Sequence, residues 1–148
     1  MSGGIGPLHA CAFYGLEPVC RAVLLSGYPY DKCEPTYDQT PLIYACRNGH
    51  KDVMTLLLYH GANVNHGSMR GESLLLEAIE HDQVDVVKLL LNHNKLDVNA
   101  RSPSKDSRTA LIRAAELGRE DILSHLLNHP RVDVNKTDGT GCTALIRR

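Results

Sequence analysis

Residues 38–65 read DQTPLIYACRNGHKDVMTLLLYHGANVN, and versions of this stretch run in register through nearly the whole chain. Aligned on Thr40, the corresponding residues are Gly6, Ser73, Thr109 and Thr143, which gives spacings of 34, 33, 36 and 34 residues. A period of that length marks a solenoid of helical units. One such unit is too short to bury its own apolar faces, so each must seal against its neighbours. The 148 residues therefore read as an all-α chain of four complete units and the opening of a fifth.

Within the second unit, Thr40 is placed to cap a helix and Pro41 to fill its first turn, where a missing N–H costs nothing. That helix, LIYACRN, is expected to run to Gly49, whose tolerance of positive φ suits a helix end. After a turn at His50 a second helix, DVMTLLLYH, runs to Gly61, and GANVN begins an extended connection rich in turn formers. The other units repeat the plan as GPLHACAFYGLEPVCRAVLLSG, SLLLEAIEHDQVDVVKLLLNH and TALIRAAELGREDILSHLLNH, and the last fragment reads TALIRR. The second helices are apolar on more than one side, as suits an element held between neighbouring units. The extra residue in each of the tails HNKLDVN and HPRVDVN is expected in the connection.

The motifs TPLIYACRNGH, DVVKLLL and GANVN resemble the ankyrin repeat, and the similarity covers residues 4 to 148. The resemblance implies a solenoid of stacked antiparallel helix pairs with hairpin-like fingers at right angles. It divides a single domain, residues 1–148, into repeats at about 4–34, 35–67, 68–103 and 104–137 with a partial 138–148. Only His9 keeps the family's TPLH histidine; Ile43, Leu76, Ile112 and Ile146 replace it, so apolar contacts must do more of the joining. Gly6 and Ser73 are expected to cap less well than threonine.

On the first helix of unit two, Leu42, Ile43, Ala45 and Cys46 read as buried, which leaves Tyr44, Arg47 and Asn48 as a stripe on the opposite face, free to bind. The equivalents are Ala10, Phe13 and Tyr14, then Glu77, Glu80 and His81, then Arg113, Glu116 and Leu117. The family resemblance implies that these positions line a concave groove where another protein docks. By alignment the finger tips add Tyr37 and Gln39, then Met69, Arg70 and Glu72, then Lys105, Asp106 and Arg108. Phe13, Tyr14, Tyr37, Tyr44 and Arg47 concentrate binding hot-spot residue types in the first half. They read as an anchor for a partner, or Phe13 and Tyr14 shield the end of the stack. The charges of the second half are expected to form weak solvated pairs.

Composition narrows the function classes. Lys and Arg number 16 against 17 Asp and Glu, so no strong field recruits a nucleic-acid backbone. Cys11, Cys20, Cys33, Cys46 and Cys142 form no CxxC pair and read as packing thiols in a reducing compartment. No leader-like or membrane-spanning stretch is seen, so a cytoplasmic location, or a nuclear one, is expected for a monomer or part of a longer chain. No GxSxG elbow occurs, and no cysteine has an identifiable base. His125 and His129 could share a helix face, but two ligands do not close a metal site. Asp138 to Gly141 lacks the Lys-Ser/Thr pair of a phosphate loop and reads as a finger turn. No catalysis, metal or cofactor is expected. Asn65, Asn99 and Asn135 resemble asparagines hydroxylated in some ankyrin proteins, with local turn formation as their ordinary role.

The fifth unit stops at Arg148, and the outer face of unit four would want a cover. The expectation is an excerpt of a longer protein, a small protein with its own polar edge being the alternative. Function is expected to be non-catalytic protein binding as a scaffold, adaptor or inhibitor. The alternative is a targeting or regulatory domain of a larger enzyme or channel.

Overall fold

The computed structural model describes residues 6–30, 39–68, 70–104 and 106–147; Cys33, Tyr37, Met69 and Lys105 lie outside them. Its helices come in pairs. They are α1 (Pro7–Tyr14) with α2 (Glu17–Leu25), α3 (Pro41–Arg47) with α4 (Lys51–Tyr59), α5 (Leu74–Glu80) with α6 (Val84–Leu91), and α7 (Ala110–Glu116) with α8 (Glu120–Leu127). A short α9 (Ala144–Arg147) opens the next pair. First helices pack in series, α1 on α3 on α5 on α7 on α9, and second helices α2, α4, α6 and α8 do the same. The architecture is thus an all-α stack of paired helices in two layers.

The core lies between the layers and between successive pairs. Leu8, Leu42, Ile43, Met54, Leu57, Leu75, Ile79, Leu90, Ile112 and Ile122 are fully buried there. Each large side chain so buried contributes about 1.5–3 kcal/mol. Of the four residues that replace the family's histidine, Ile43 and Ile112 are in this core, where apolar contact takes over; Leu76 is buried beneath the groove and Ile146 is exposed. His9 remains as the polar joint: its buried ring donates from Nε2 to the Gln39 carbonyl at 3.0 Å, tying the first pair to the entry of α3. Gly6 precedes α1 in a close fit, where a Cβ would lie 2.8 Å from the Tyr28 hydroxyl and require that ring to shift.

Helix starts differ from the sequence reading. Ser73 caps α5, its Oγ accepting from the Leu76 N–H at 3.3 Å, and Thr109 caps α7 through the Ile112 N–H at 3.4 Å. Thr40 makes no side-chain cap. The Ile43 N–H it would serve is already bonded to the Thr40 carbonyl at 3.1 Å, so a tight backbone turn does the hydroxyl's work. The stops fall where expected. Gly49 has φ of 72°, and the Gln83 amide closes over it to donate to the Arg47 carbonyl at 3.1 Å.

The connections also carry more than local turns. Asn65 donates to the Lys95 carbonyl at 2.7 Å and accepts from the Asp97 N–H at 2.9 Å. Asn99 repeats this on Arg131 and Asp133, both at 2.8 Å. These two asparagines therefore bridge successive connections, which corrects the local role read from the sequence. Local turns belong to Asn63, Asp97 and Asp133, whose side chains accept from the N–H two residues on. The added residue of the third and fourth tails does lie outside the helices.

Cys11, Cys20 and Cys46 are buried free thiols, as packing residues should be. Burial, with Cys11 and Glu17 nearby, pushes the Cys20 thiol up to about 12, and burial raises Cys46 as well. Cys46 donates to the Leu74 carbonyl at 3.3 Å, across the joint between α3 and α5.

Gly49→Ala is expected to destabilise the protein. A Cβ would meet Gln83 Oε1 at 2.2 Å and force a left-handed backbone on alanine, at a cost of about 1–2 kcal/mol. Urea unfolding monitored by helical circular dichroism checks this; an unchanged midpoint would contradict it.

Candidate functional site

The exposed ends of the first helices meet across each joint along one diagonal. Its members are the seventh residue after the repeat threonine in one unit and the fourth in the next. At the first joint these are Phe13 and Tyr44, with ring centroids 6.0 Å apart at 70°. At the second they are Arg47 and Glu77: Nε donates to Oε2 at 2.9 Å and Nη2 to Oε1 at 3.0 Å. At the third they are Glu80 and Arg113, again hydrogen-bonded, with the charges in reverse order.

The middle joint is the least exposed of the two charged ones. Glu77 keeps only 9% of its side-chain surface and Arg47 27%. Arg47 also donates from Nη1 to Gln39 Oε1 at 2.9 Å, so three of its guanidinium N–H groups are engaged within the molecule. Burial by itself would raise the Glu77 carboxyl, yet the Arg47 hydrogen bonds and charge, helped by His81, hold it below the ordinary value. The Arg47 guanidinium is raised in turn, first by its bond to Glu77. The stripe read as free for binding is therefore not free at its centre. Arg47 and Glu77 are tied to each other, and Gln39, read as a finger tip, is buried.

Around this joint the first helices and the fingers enclose a groove of about 590 Å³ lined by Gln39, Arg47, Arg70, Glu72, Leu76, Glu77, Glu80, His81 and Arg113. A smaller recess of about 220 Å³ continues it past Leu76 and Glu80 to Ser102, Ser104, Asp106 and Arg108. The structure thus brings Gln39, Arg47, Arg70, Glu80 and His81 together in one groove, with Arg108 in its extension. Glu116 lies at the flank, in contact with Arg108 at 2.9 Å and Arg113 at 3.3 Å. Leu76, almost completely buried, floors both recesses and was not singled out in the sequence, where it reads only as core.

Phe13, Tyr14 and Tyr44 form a separate cluster beside the groove. Phe13 and Tyr14 meet edge to face at 5.0 Å, and Tyr44 leans on His9 at 6.0 Å. Phe13 is 42% exposed and Tyr14 68%. The Phe13 carbonyl is held by the Asn48 amide at 3.1 Å and by His50 Nε2 at 2.9 Å, so Asn48 serves the end of α1. Tyr37, Met69 and Lys105 fall outside the described residues.

The other motifs settle into structural roles. Asp138 accepts from the N–H groups of Thr140 at 2.8 Å and Cys142 at 2.9 Å, a finger turn as read. His129 bonds the Leu91 carbonyl through Nε2 and accepts the Arg131 N–H through Nδ1, so both ring nitrogens are in use. Among the described residues no group of three or more His, Cys, Asp or Glu side chains is placed to hold a metal ion, and no helix is long and apolar enough to cross a membrane.

Comparison with known proteins agrees with this architecture. A profile of ankyrin repeats in three copies matches residues 8–102, and a single ankyrin repeat profile matches residues 106–139. The chain belongs to the ankyrin repeat family. It is 42% identical over 97 residues, 62% of its length, to the ankyrin repeat and KH domain-containing protein mask-1 of Caenorhabditis elegans. It is 31% identical over 88 residues, 60% of its length, to the B-cell lymphoma 3 protein homolog of Mus musculus. A 52-residue stretch, 35% of the chain, is 42% identical to the probable E3 ubiquitin-protein ligase XBOS33 of Oryza sativa subsp. japonica. The chain spans only 4%, 20% and 10% of the lengths of these relatives.

Glu77→Gln tests the middle joint. A carboxyl held low in the folded state stabilises above its unfolded pKa of about 4.3, and that stabilisation is lost as pH falls through the lower folded value. Thermal unfolding should show wild type losing stability across that acid window, with Glu77→Gln less stable at neutral pH and less sensitive to acid. Parallel curves for the two proteins would contradict the assignment.

Proposed function

We propose that this ankyrin domain is a non-catalytic protein-interaction module, a scaffold, adaptor or inhibitor, which holds a segment of another protein on its groove and the adjoining rings. The observation that carries the reading is the solvent-open groove beside preformed exposed aromatics, on the face built by the first helices and fingers. Aromatic side chains of this kind dominate binding energy where they are fixed before a partner arrives. The near-balance of charge supports a protein partner over nucleic acid. Phe13, Tyr14, Tyr44, Arg70, Glu80, His81 and Arg108 are the proposed contacts among the described residues. Arg47 and Gln39 act behind them, fixing the groove floor.

A second reading is favoured by the relatives. One is named a probable E3 ubiquitin-protein ligase, and the chain spans a tenth of it, so the same groove would deliver a substrate or regulator to an enzyme carried elsewhere in a longer chain.

Affinity capture from a cell extract distinguishes a working groove from an idle one. The double variant Tyr14→Ala/Arg70→Ala should lose the captured proteins, whereas Tyr59→Ala, which removes an 86% exposed ring on the second-helix side, should keep them. The reverse pattern would move the binding face to the second helices.

A further inference from the structure

The groove contains many charges, yet most are already answered from within. Arg47 faces Glu77 and Gln39, Arg113 faces Glu80 and Glu116, and Arg108 faces Glu116 and Asp106. A partner that approached with a carboxylate or an ammonium would have to break one of these pairs to gain another, at little net benefit. Among the described groove residues Arg70 and Glu72 have no ion-pair partner: Arg70 is exposed, and Glu72 is half-buried and accepts from the Ser102 hydroxyl at 2.7 Å.

The rings differ in kind. Tyr14 and Phe13 expose apolar surface that no described residue covers, and their positions are fixed from below. Phe13 rests on Tyr44, Tyr44 on His9, and His9 on the Gln39 carbonyl. Two side chains hold the carbonyl that ends the Phe13 turn. Covering this surface needs no prior bond to be broken and little ordering. Leu16, in the turn between α1 and α2, is also 47% exposed.

We infer that the bound segment is recognised by an uncharged aliphatic or aromatic residue seated on Phe13 and Tyr14, and that the groove's ion pairs hold the floor in shape without reading the partner's charge. This rests on the proposed groove function and assigns the partner's chemistry: an extended peptide with a neutral apolar anchor, bound with little dependence on salt. The mutual pairing of Arg47, Glu77, Glu80 and Arg113 is the complementarity argument, because a neutral segment leaves those pairs undisturbed.

A random peptide library displayed on phage, panned on the intact protein at physiological salt, supplies the probes, and synthetic copies of the selected peptides give affinities. The expected result is selection of an apolar residue within a segment of low net charge. Tyr14→Ala should weaken binding by about tenfold or more, as hot-spot residues do. Affinity should change by less than about twofold between about 0.1 M and 1 M salt, although the Debye length falls from about 10 to about 3 Å. Tyr14 is mostly exposed, so that variant folds as wild type, and circular dichroism verifies it. Selection of acidic peptides whose affinity falls steeply with salt and with Arg70→Ala would overturn the inference while leaving the groove reading intact. Peptides indifferent to both variants but lost in Tyr59→Ala, or no selected peptides at all, would overturn the groove reading and the inference with it.

Discussion

Neighbouring units of this molecule must be joined on the side that stays open, and a diagonal of side-chain pairs between successive first helices does so at each joint, beside bonds to the helix-end carbonyls. Burial between the layers is non-directional and would tolerate some sliding of one pair on another. The diagonal is directional. A ring pair, then an Arg–Glu pair, then a Glu–Arg pair sit at equivalent places, and a slip of register would set mismatched groups against each other. The Arg47–Glu77 joint has the most at stake, because removing either member leaves a partly buried charge unanswered, at about 2–3 kcal/mol.

The surface left for a partner follows from that arrangement. Where the diagonal is charged, the side chains face one another and their charges are answered within the molecule. Where it is aromatic, the rings satisfy each other only along their edges and leave their outer parts in water. The same set of positions therefore stabilises the stack over its middle units and leaves aromatic surface exposed at its first joint. On the far side, Asn65 and Asn99 fix the connections to one another through two bonds each, so the helix pairs are pinned both at the groove and at the base.

Most of the fold was legible from residues 38–65, because a repeat carries its own confirmation: the helix stop at Gly49 returns as Gly15 and Gly118 and that at Gly61 as Gly27, and each recurrence tests the reading. Pairing of opposite charges on adjacent units was expected for the second half, and Glu80 with Arg113 shows it; what escaped was the tie between Arg47 and Glu77. Treating each unit alone made Arg47 and Glu77 look like free positions on an outer stripe and gave Asn65 a purely local turn. The signal was present, since Arg47 is followed one unit later by Glu77, and Glu80 by Arg113, with the order of charge reversed. Reading the aligned units as columns, and then comparing neighbouring columns, would have found it. Thr40 failed as a cap for a reason no pattern reveals, the capture of the Ile43 N–H by its own backbone carbonyl. Leu76 was hidden for the opposite reason, because an apolar residue in the histidine's place reads as core whether or not its edge floors a groove.

A charge-swap cycle at the middle joint addresses the central claim directly, through the unfolding free energies of wild type, Arg47→Glu, Glu77→Arg and the double variant. If the diagonal joins the units, each single reversal is destabilising and the double variant recovers much of the loss, with a coupling of about 2 kcal/mol or more. Single losses that simply add in the double variant would show that these side chains do not hold the stack together.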